Sequence, residues 1–424
     1  MQRLVPSLLL LSLAGYAAAE SMVMTDDAAK LTVGLLVQAR MDISRGSNSA
    51  GDVYSPSENA AGQPDTADFY LRRVRPYFKG SFGDGFLFQT TLAADNVSRN
   101  SASSNNVTLF DAFVGKKFVA GDVSHTIVVG KKNAWFYTGN FNQATGLFPS
   151  FRPTVPVGAP NNVGLAYRLD APVIRFGVDV LNNVGTGFSS AGVLGAAAGS
   201  GAGDDTANAT TNEGEGLWYS GRLEITGQAD WASVWQESFA GKPGHGFVIG
   251  VEAAGDAKDR LADVNPAVAG NQAGHASATI FGFEGMLHLD DLTAVADFRM
   301  QKTSFTPDAG ADPDDVNSQT FTIQAGYAFR TGAALVPVVE PALRFSKIDN
   351  NKDNSNEGAN ANYGPADYGA SGRQIEIGMN AFFNGHKNKL AIEYVNWVGE
   401  EGAAAPTDNA PTAHIFRIQQ QLWF

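Results

Sequence analysis

The sequence predicts an all-β fold, a sixteen-stranded antiparallel transmembrane β-barrel with short periplasmic turns and long outer loops. Three observations predict it. Segments of roughly nine to thirteen residues alternate apolar and polar side chains, which is the pattern of a strand with two different faces. The connections between these segments mostly alternate between short and long. After the first twenty residues, no apolar run approaches the roughly 18 residues that a membrane-spanning helix needs.

The first nineteen residues have the features of a secretory signal peptide. Arg3 precedes an apolar run at 8–13, and the small residues 17–19 lie just before Glu20. We therefore expect a cleaved signal peptide at 1–19 and one barrel domain at 20–424. The first predicted strand starts near Leu31, which leaves too little chain before it for a separate plug domain. An exported barrel is expected in the outer membrane of a Gram-negative cell, in contact with lipid and lipopolysaccharide.

The composition excludes several other classes of protein. The chain has 424 residues and no cysteine, which excludes a disulfide scaffold, a thiolate metal site and a thiol nucleophile. It has 30 Lys and Arg against 43 Asp and Glu, a formal net charge of -13. Because a nucleic-acid partner requires a basic surface, we expect none.

The predicted strands have the length of a tilted membrane-crossing strand, about 9–11 residues plus their ends. In order along the chain they cover 31–43, 68–80, 85–95, 107–118, 123–132, 161–169, 172–181, 215–227, 244–254, 277–289, 292–302, 319–330, 336–348, 372–384, 389–399 and 412–424. The last strand shows the pattern most clearly, since it places apolar side chains on alternate positions and finishes at the aromatic Phe424. Paired aromatic residues near several strand ends, such as Trp218 and Tyr219, fit interfacial girdles.

The connections differ strongly in length and composition. The long ones are rich in Gly, Asn, Asp, Ser, Ala and Pro, and they fall at 44–67, 96–106, 133–160, 182–214, 255–276, 303–318, 349–371 and 400–411. Most of the others have only two to five residues, as expected for periplasmic turns. The exception is 228–243, where Trp231 and Trp235 interrupt what should be a short turn. The sequence leaves open whether this region is a turn or part of a strand.

Several segments, in order, resemble the phosphate-selective porin O and P family. The first is 68–80, DFYLRRVRPYFKG, and the last is FRIQ at 416–419, which lies in the final strand and runs on to Phe424. Between them lie 339–349, 372–383 and 389–394. The resemblance implies a sixteen-stranded outer-membrane porin, usually trimeric, that passes anions such as phosphate or polyphosphate. It therefore implies a homotrimer and small anions as partners of this chain.

One predicted strand carries a row of cations. If Val74, Pro76 and Phe78 face lipid, the alternation turns Arg73, Arg75, Tyr77 and Lys79 towards the lumen. The opposite orientation would place charges in lipid at about 2–4 kcal/mol each. We therefore expect Arg73, Arg75 and Lys79 to line the pore and to bind passing anions, because rings of Arg and Lys make anion pores. An ordinary charged porin wall would show the same pattern, and both interpretations stay open.

The connection 133–160 contains an unusual number of aromatic and proline residues for a loop in water. Folding it into the barrel would bury them and narrow the channel. Lys131, Lys132 and Arg152 would then extend the cationic path. The alternative is an outer loop that packs against a neighbouring subunit.

The function expected from the sequence is passive diffusion of small hydrophilic solutes through a cationic constriction. Acidic residues in the other outer loops, among them Asp308, Asp349 and Glu357, favour the alternative of a general or cation-leaning porin. No cofactor or metal is expected, since the six histidines are scattered and 349–360 lacks the Gly and Glu of a calcium loop. We expect no enzymatic activity; a barrel-based hydrolase is the less favoured alternative.

Overall fold

The computed structural model describes residues 22–26, 29–47, 65–98, 106–136, 144–150, 152, 161–182, 217–227, 235–238, 240, 244–256, 260–262, 274–307, 316–349, 372–399 and 412–424. The predicted signal peptide at 1–19, most of the long outer loops and most of their acidic residues lie outside these ranges. No helix among the described residues is long and apolar enough to cross a membrane.

Most of the described residues lie in strands. The strands are β1 (Met22–Asp26), β2 (Ala29–Ser47), β3 (Asp65–Phe82), β4 (Phe86–Val97), β5 (Thr108–Ala120), β6 (Val123–Asn133), β7 (Asn161–Asp170), β8 (Ile174–Asn182), β9 (Leu217–Thr226), β10 (Gly244–Asp256), β11 (Arg260–Ala262), β12 (Gly274–Asp290), β13 (Leu292–Pro307), β14 (Val316–Tyr327), β15 (Phe329–Arg330), β16 (Val338–Asp349), β17 (Gly372–Asn384), β18 (Asn388–Gly399) and β19 (Thr412–Trp423).

Sixteen of these strands close into one antiparallel barrel, which confirms the predicted fold class. Each long strand pairs with the next along the chain, and β19 pairs with β2, so that the sheet has no free edge at this seam. The three remaining segments are short. β1 forms a hairpin with the first residues of β2, while β11 and β15 pair with β12 and β16 beyond the ends of β10 and β14.

The two faces of the barrel differ as the alternation predicts. On β9, Leu217, Leu223 and Ile225 point outwards and are exposed, whereas Arg222 and Glu224 point inwards and are buried. The outward face carries apolar side chains on most strands, and such a surface is suited to hydrocarbon. Among the described residues, charged and polar side chains are concentrated inside, so the candidate site is sought in the lumen.

Aromatic pairs near strand ends are split between the two faces. Tyr219 is exposed on the outward face, as a girdle residue would be, but its neighbour Trp218 is fully buried inside. The same division separates Phe69 from Tyr70. Because adjacent residues of a strand face opposite sides, only one member of each pair belongs to an outer girdle.

The end of the chain helps to close the barrel. The Phe424 N–H donates to the Leu35 carbonyl at 2.9 Å, and the Leu35 N–H donates to the Phe424 carbonyl at 3.3 Å. These bonds extend the seam between β19 and β2 by one residue. They give the predicted terminal strand a defined partner.

Candidate functional site

The loop that follows β6 folds into the lumen. The carbonyls of residues 144–147 accept hydrogen bonds from inward-facing side chains of three strands. Asn380 Nδ2 donates to the Leu147 carbonyl at 2.9 Å, and Lys389 Nζ donates to the Gly146 carbonyl at 3.0 Å. On the next strand, Gln421 Nε2 donates to the Ala144 carbonyl at 3.0 Å. This part of the loop therefore lies against β17, β18 and β19.

Two glycines allow the loop to approach this wall closely. A Cβ added to Gly326 on β14 would lie 2.5 Å from the Leu147 side chain, and one added to Gly378 on β17 would lie 2.8 Å from the Phe148 ring. Any larger residue would push the loop away from the sheet. Leu147 and Phe148 also pack with Ala342, which makes a small apolar contact inside the lumen.

The beginning of the same loop is fixed to the opposite side of the barrel. The Trp135 N–H donates to Asp179 Oδ2 at 2.7 Å, and the Phe136 ring meets the Trp218 ring edge-on at 6.2 Å. Arg222 Nη1 donates to the Phe136 carbonyl at 2.8 Å. The described ends of the loop thus contact β8 and β9 at residues 135–136 and β17–β19 at residues 144–147.

Ser150 ties the loop into a polar cluster on the far wall. Its hydroxyl donates to Glu376 Oε2 at 2.8 Å and also contacts Glu393. Arg344 Nη1 donates to the Ser150 hydroxyl at 3.0 Å and to Glu376 at 2.9 Å. Arg417 pairs with Glu393 at 3.1 Å. The carboxylates of this cluster are therefore paired with guanidinium groups.

Arg152 lies deeper in the lumen and is surrounded by three carboxylates. Its guanidinium pairs with Glu237 at 3.0 Å, with Glu284 at 3.3 Å and with Asp297 at 2.5 Å. The side chain is almost fully buried. Its charge is therefore compensated by acidic groups, and its ion pairs with Glu284 and Asp297 hold the loop to strands β12 and β13.

This arginine belongs to a larger buried network. Arg299 pairs with Glu252 at 3.0 Å, with Glu284 at 2.6 Å and with Asp297 at 2.9 Å. Arg222 pairs with Glu224 at 2.6 Å and Glu284 at 2.7 Å, and it also contacts Glu252. Bidentate and shared contacts of this kind favour fixed positions for all members. The network links β9, β10, β12 and β13 to one another on the inner side of the barrel.

A second segment enters the lumen from the rim of short turns. In the connection between β9 and β10, Trp235, Glu237 and Ser238 are all buried. The described residues 235–238 and 240 form no strand. The question that the sequence left open is therefore resolved for these residues: they are an in-folded connection.

The rest of the lumen is reached by solvent along β3–β6. The side chains of Arg75, Asp95 and Lys132 are 16%, 27% and 13% exposed, whereas those of Arg222 and Arg299 are fully buried. The contacts of both in-folded segments lie on the strands from β8 to β19 and on β2, where Arg40 Nη2 donates to the Pro149 carbonyl at 2.7 Å. They leave the charged wall of β3–β6 facing the lumen.

The first group of predicted pore residues faces inwards on β3. A bulge opposite Gln38 and Ala39 brings Arg72 and Arg73 to the buried side together. Arg73 Nη1 donates to Gln38 Oε1 at 2.6 Å, and Arg75 Nε donates to Asp95 Oδ1 at 3.0 Å. The remaining members of this row lie nearer the turns.

Lys79 occupies the turn-side end of the same row. It pairs in register with Thr32 and Gln89, and its ammonium group lies 5.5 Å from the centre of the Tyr77 ring. Tyr77 in turn donates its hydroxyl to the Phe424 carbonyl at 3.2 Å. The structure therefore brings Arg73, Arg75 and Lys79 onto one inward face.

The two adjacent lysines of β6 face opposite sides. Lys132 points inwards and pairs with Asp179. Lys131 pairs in register with Ala112 and Val163, which lie in the outward-facing row, so its position differs from the expected one. The reason is the alternation itself, because consecutive strand residues cannot both face the lumen without a bulge.

The sequence reasoning missed the acidic partners of these cations. Asp95, Asp179 and Glu284 each face a predicted pore cation, and Asp297 joins Glu284 at Arg152. Alternation within β4, β8, β12 and β13 places them on the inward rows, so a signal for their orientation was present. Glu237 had no such signal, because it lies outside any strand. Among the described residues, no group of three His, Asp or Glu side chains is arranged to hold a metal.

The barrel is similar to solved outer-membrane structures. The outer membrane channel DcaP of Acinetobacter baumannii aligns with a TM-score of 0.55 at 11% identity, covering 96% of this chain and 100% of that one. Two structures of OmpT, an outer membrane protein of Vibrio cholerae, align with a TM-score of 0.50. Both were folded in vitro. One has 10% identity and its alignment covers 95% of this chain; the other, a trimer form, has 11% identity and its alignment covers 94% of this chain. Each OmpT chain is covered completely. No family model and no curated protein matches the chain, so the resemblance to the phosphate-selective porins has no further support. At these identities the likeness shows the fold.

Proposed function

We propose that the protein is an outer-membrane porin through which small hydrophilic solutes diffuse passively along the wall of β3–β6. One observation carries the proposal: charged side chains on this wall reach solvent, while two in-folded segments cover the opposite wall. Passive diffusion requires only such a polar passage of restricted width. No covalent step and no cofactor is needed.

The location in the outer membrane has its own support. A closed sheet with an apolar outer face satisfies its backbone hydrogen bonds internally and can be immersed in lipid. The similar barrels are outer-membrane proteins, one of them a channel. We therefore propose lipid and lipopolysaccharide as the surroundings of the barrel, reached through the predicted signal peptide.

Small anions, with phosphate among them, are the solutes that we propose. Among the described inward-facing side chains of β3–β6, six are cationic and three are acidic. The cations are Arg72, Arg73, Arg75, Lys79, Lys117 and Lys132, and the acids are Asp68, Asp95 and Asp111. Arg72, Arg73, Asp68 and Asp111 are buried, so the groups of this wall that reach solvent are Arg75, Lys79, Lys117, Lys132 and Asp95, which still have an excess of positive charge. Guanidinium groups suit oxyanions because they replace part of the water around them.

A cation-leaning general porin is the second candidate. The buried network around Arg152, Arg222 and Arg299 also includes Arg175, which pairs with Glu224, and it contains five carboxylates and four guanidinium groups. The carboxylates are Glu224, Glu237, Glu252, Glu284 and Asp297, and the arginines are Arg152, Arg175, Arg222 and Arg299. Its members are buried, so this small acidic excess acts on a solute from behind the in-folded segments. The wall of β3–β6 is closer to the solute, and we favour its effect.

The decisive experiment is the reversal potential of the purified protein in a planar bilayer under a KCl gradient, repeated with added phosphate. We expect chloride to be more permeant than potassium, and phosphate to reduce the chloride current. A current that favours potassium would support the second candidate. A protein that inserts but passes no current would overturn the porin proposal.

We also propose a homotrimer, which the family resemblance implies. One of the similar OmpT structures is a trimer form. The test is the mass of the detergent-solubilised protein by light scattering with the detergent contribution subtracted. Three chains per particle are expected, and a mass of one chain would exclude the trimer under those conditions.

A further inference from the structure

We infer that the connection between β9 and β10 is a second constriction, entering from the turn side, and that Glu237 latches it to the outer loop so that the two segments limit the passage together. This inference rests on the proposed porin function. In the following, the insert means residues 235–238 and 240, and the outer loop means residues 144–150 and 152.

The insert lies against one continuous arc of the barrel wall, from β9 to the turn between β17 and β18. At one end, Trp235 packs with Val248, Met286 and Val295, and its Nε1 donates to Glu224 Oε1 at 2.7 Å. These residues belong to β9, β10, β12 and β13. The indole also lies beneath Arg222, whose guanidinium carbon is 5.0 Å from the ring centre.

The other end of the insert reaches β14–β18. His386 Nε2 donates to the Ser238 carbonyl at 2.6 Å, and Ala240 packs against the cluster of Ala328, Val338 and Phe382. His386 lies in the short turn between β17 and β18. Residues 235–238 and 240 thus contact β9–β13 at one end and β14–β18 at the other, two groups of strands that adjoin where β13 pairs with β14.

Glu237 lies in the middle of the insert and joins it to the outer loop. One carboxylate oxygen pairs with Arg152 Nε at 3.0 Å, and the other accepts a hydrogen bond from the Leu147 N–H at 3.2 Å. Both contacts are buried. A single side chain from the turn side therefore binds both the backbone and the cation of a loop that enters from the outer side.

This contact has consequences for the width of the passage. The closed sheet is the rigid part of a barrel, and its connections are the parts that change position most easily. While the latch holds, the insert and the outer loop are fixed relative to each other and to the walls that bind each of them. When it is broken, each segment keeps its own wall contacts but no longer restricts the other, and partly displaced states become accessible.

The test is the single-channel current of Glu237→Gln, which keeps the size of the side chain but removes its charge. A charge-assisted hydrogen bond contributes enough that we expect open-channel time in higher-conductance substates to rise roughly tenfold, the change that corresponds to about 1.4 kcal/mol. The matched control is Asp291→Asn. It removes the same charge at the turn-side rim, where Asp291 pairs with Arg330 at 2.7 Å.

Two further measurements keep the outcomes distinct. Trp235→Phe loosens the far end of the insert without touching Glu237, and it should produce the same substates. It replaces Glu237→Gln as the test if that variant inserts poorly into the bilayer. Heat-dependent mobility on a gel checks that each barrel is folded. If the wild type conducts and the currents of Glu237→Gln and Trp235→Phe both match those of Asp291→Asn, the latch is overturned and the porin proposal stands. A wild-type protein that inserts without any current would instead overturn the porin proposal, and the latch with it.

Discussion

Replacing Arg75 by glutamate should turn a solvent-accessible ion pair of the proposed passage into a pair of negative charges. In the wild type, Arg75 and Asp95 neutralise each other across β3 and β4, with Nε and Oδ1 3.0 Å apart. In Arg75→Glu, two carboxylates face each other on the same wall. The local charge therefore changes by two units, from a neutral pair to a pair of negative charges.

The size of the effect follows from the exposure of this pair. Because both side chains reach solvent, the dielectric constant of water applies, and a charge about 7 Å from a passing ion contributes roughly 0.6 kcal/mol. Physiological salt reduces this to about 0.3 kcal/mol, since the screening length is about 8–10 Å. Two units then amount to about 0.6 kcal/mol. Anions are repelled and cations attracted, so the chloride-to-potassium permeability ratio should fall roughly sevenfold.

The assay is the reversal potential in a KCl gradient, with Arg330→Glu as the control. Arg330 lies at the turn-side rim between β14 and β16, its side chain is 52% exposed, and the substitution has the same charge change far from β3–β6. We expect a shift towards cations in Arg75→Glu that increases as the salt concentration is lowered. Equal shifts in the two variants would refute the reasoning, because they would show that Arg75 does not face the narrow part of the passage.

Three further predictions test other parts of the structure. Arg152→Met should destabilise the barrel by about 3 kcal/mol, because it leaves the buried Glu237 carboxylate without its paired arginine and removes one of the arginines beside Glu284 and Asp297; the urea midpoint of unfolding in detergent measures this. Gly378→Val should displace the Phe148 ring and loosen the outer loop, so single-channel currents should become larger and less steady while the folded gel mobility is retained. Lys131→Gln should leave the reversal potential unchanged, because this side chain lies in the outward-facing row; a shift of the size expected for Arg75→Glu would contradict that orientation.

The fold could be predicted from the sequence because a barrel repeats one local rule. Side chains alternate between two environments, and turn residues mark each reversal of the chain. Every predicted strand overlaps an observed one, and the main difference is that strands such as β2 and β12 continue several residues further into the outer hairpins. Backbone pairing continues there without an apolar face, so a hydrophobic pattern could not mark these ends.

The candidate site could be predicted only in part. Alternation was enough to turn Arg73 and Arg75 inwards, and the same rule applied strictly to Lys131 and Lys132 would have retained only one of them. The pairing of Arg75 with Asp95 depends on the register of two strands, which a period-two pattern alone does not specify. Glu237 could not be predicted at all, because its position depends on the path of an irregular segment through the lumen.

The formal net charge of the chain is a poor predictor of the selectivity that we propose, and the structure gives the physical reason. The formal charge is -13, yet the wall of β3–β6 carries more cations than acids among its described inward-facing side chains. Carboxylates such as Glu252 and Glu284 are surrounded by arginines and shielded by the in-folded segments. A charge acts on a solute in proportion to its proximity and its exposure to the same solvent. Selectivity should therefore follow the few groups beside the open path, and it should change more on substitution of one of them than on substitution of several rim residues together.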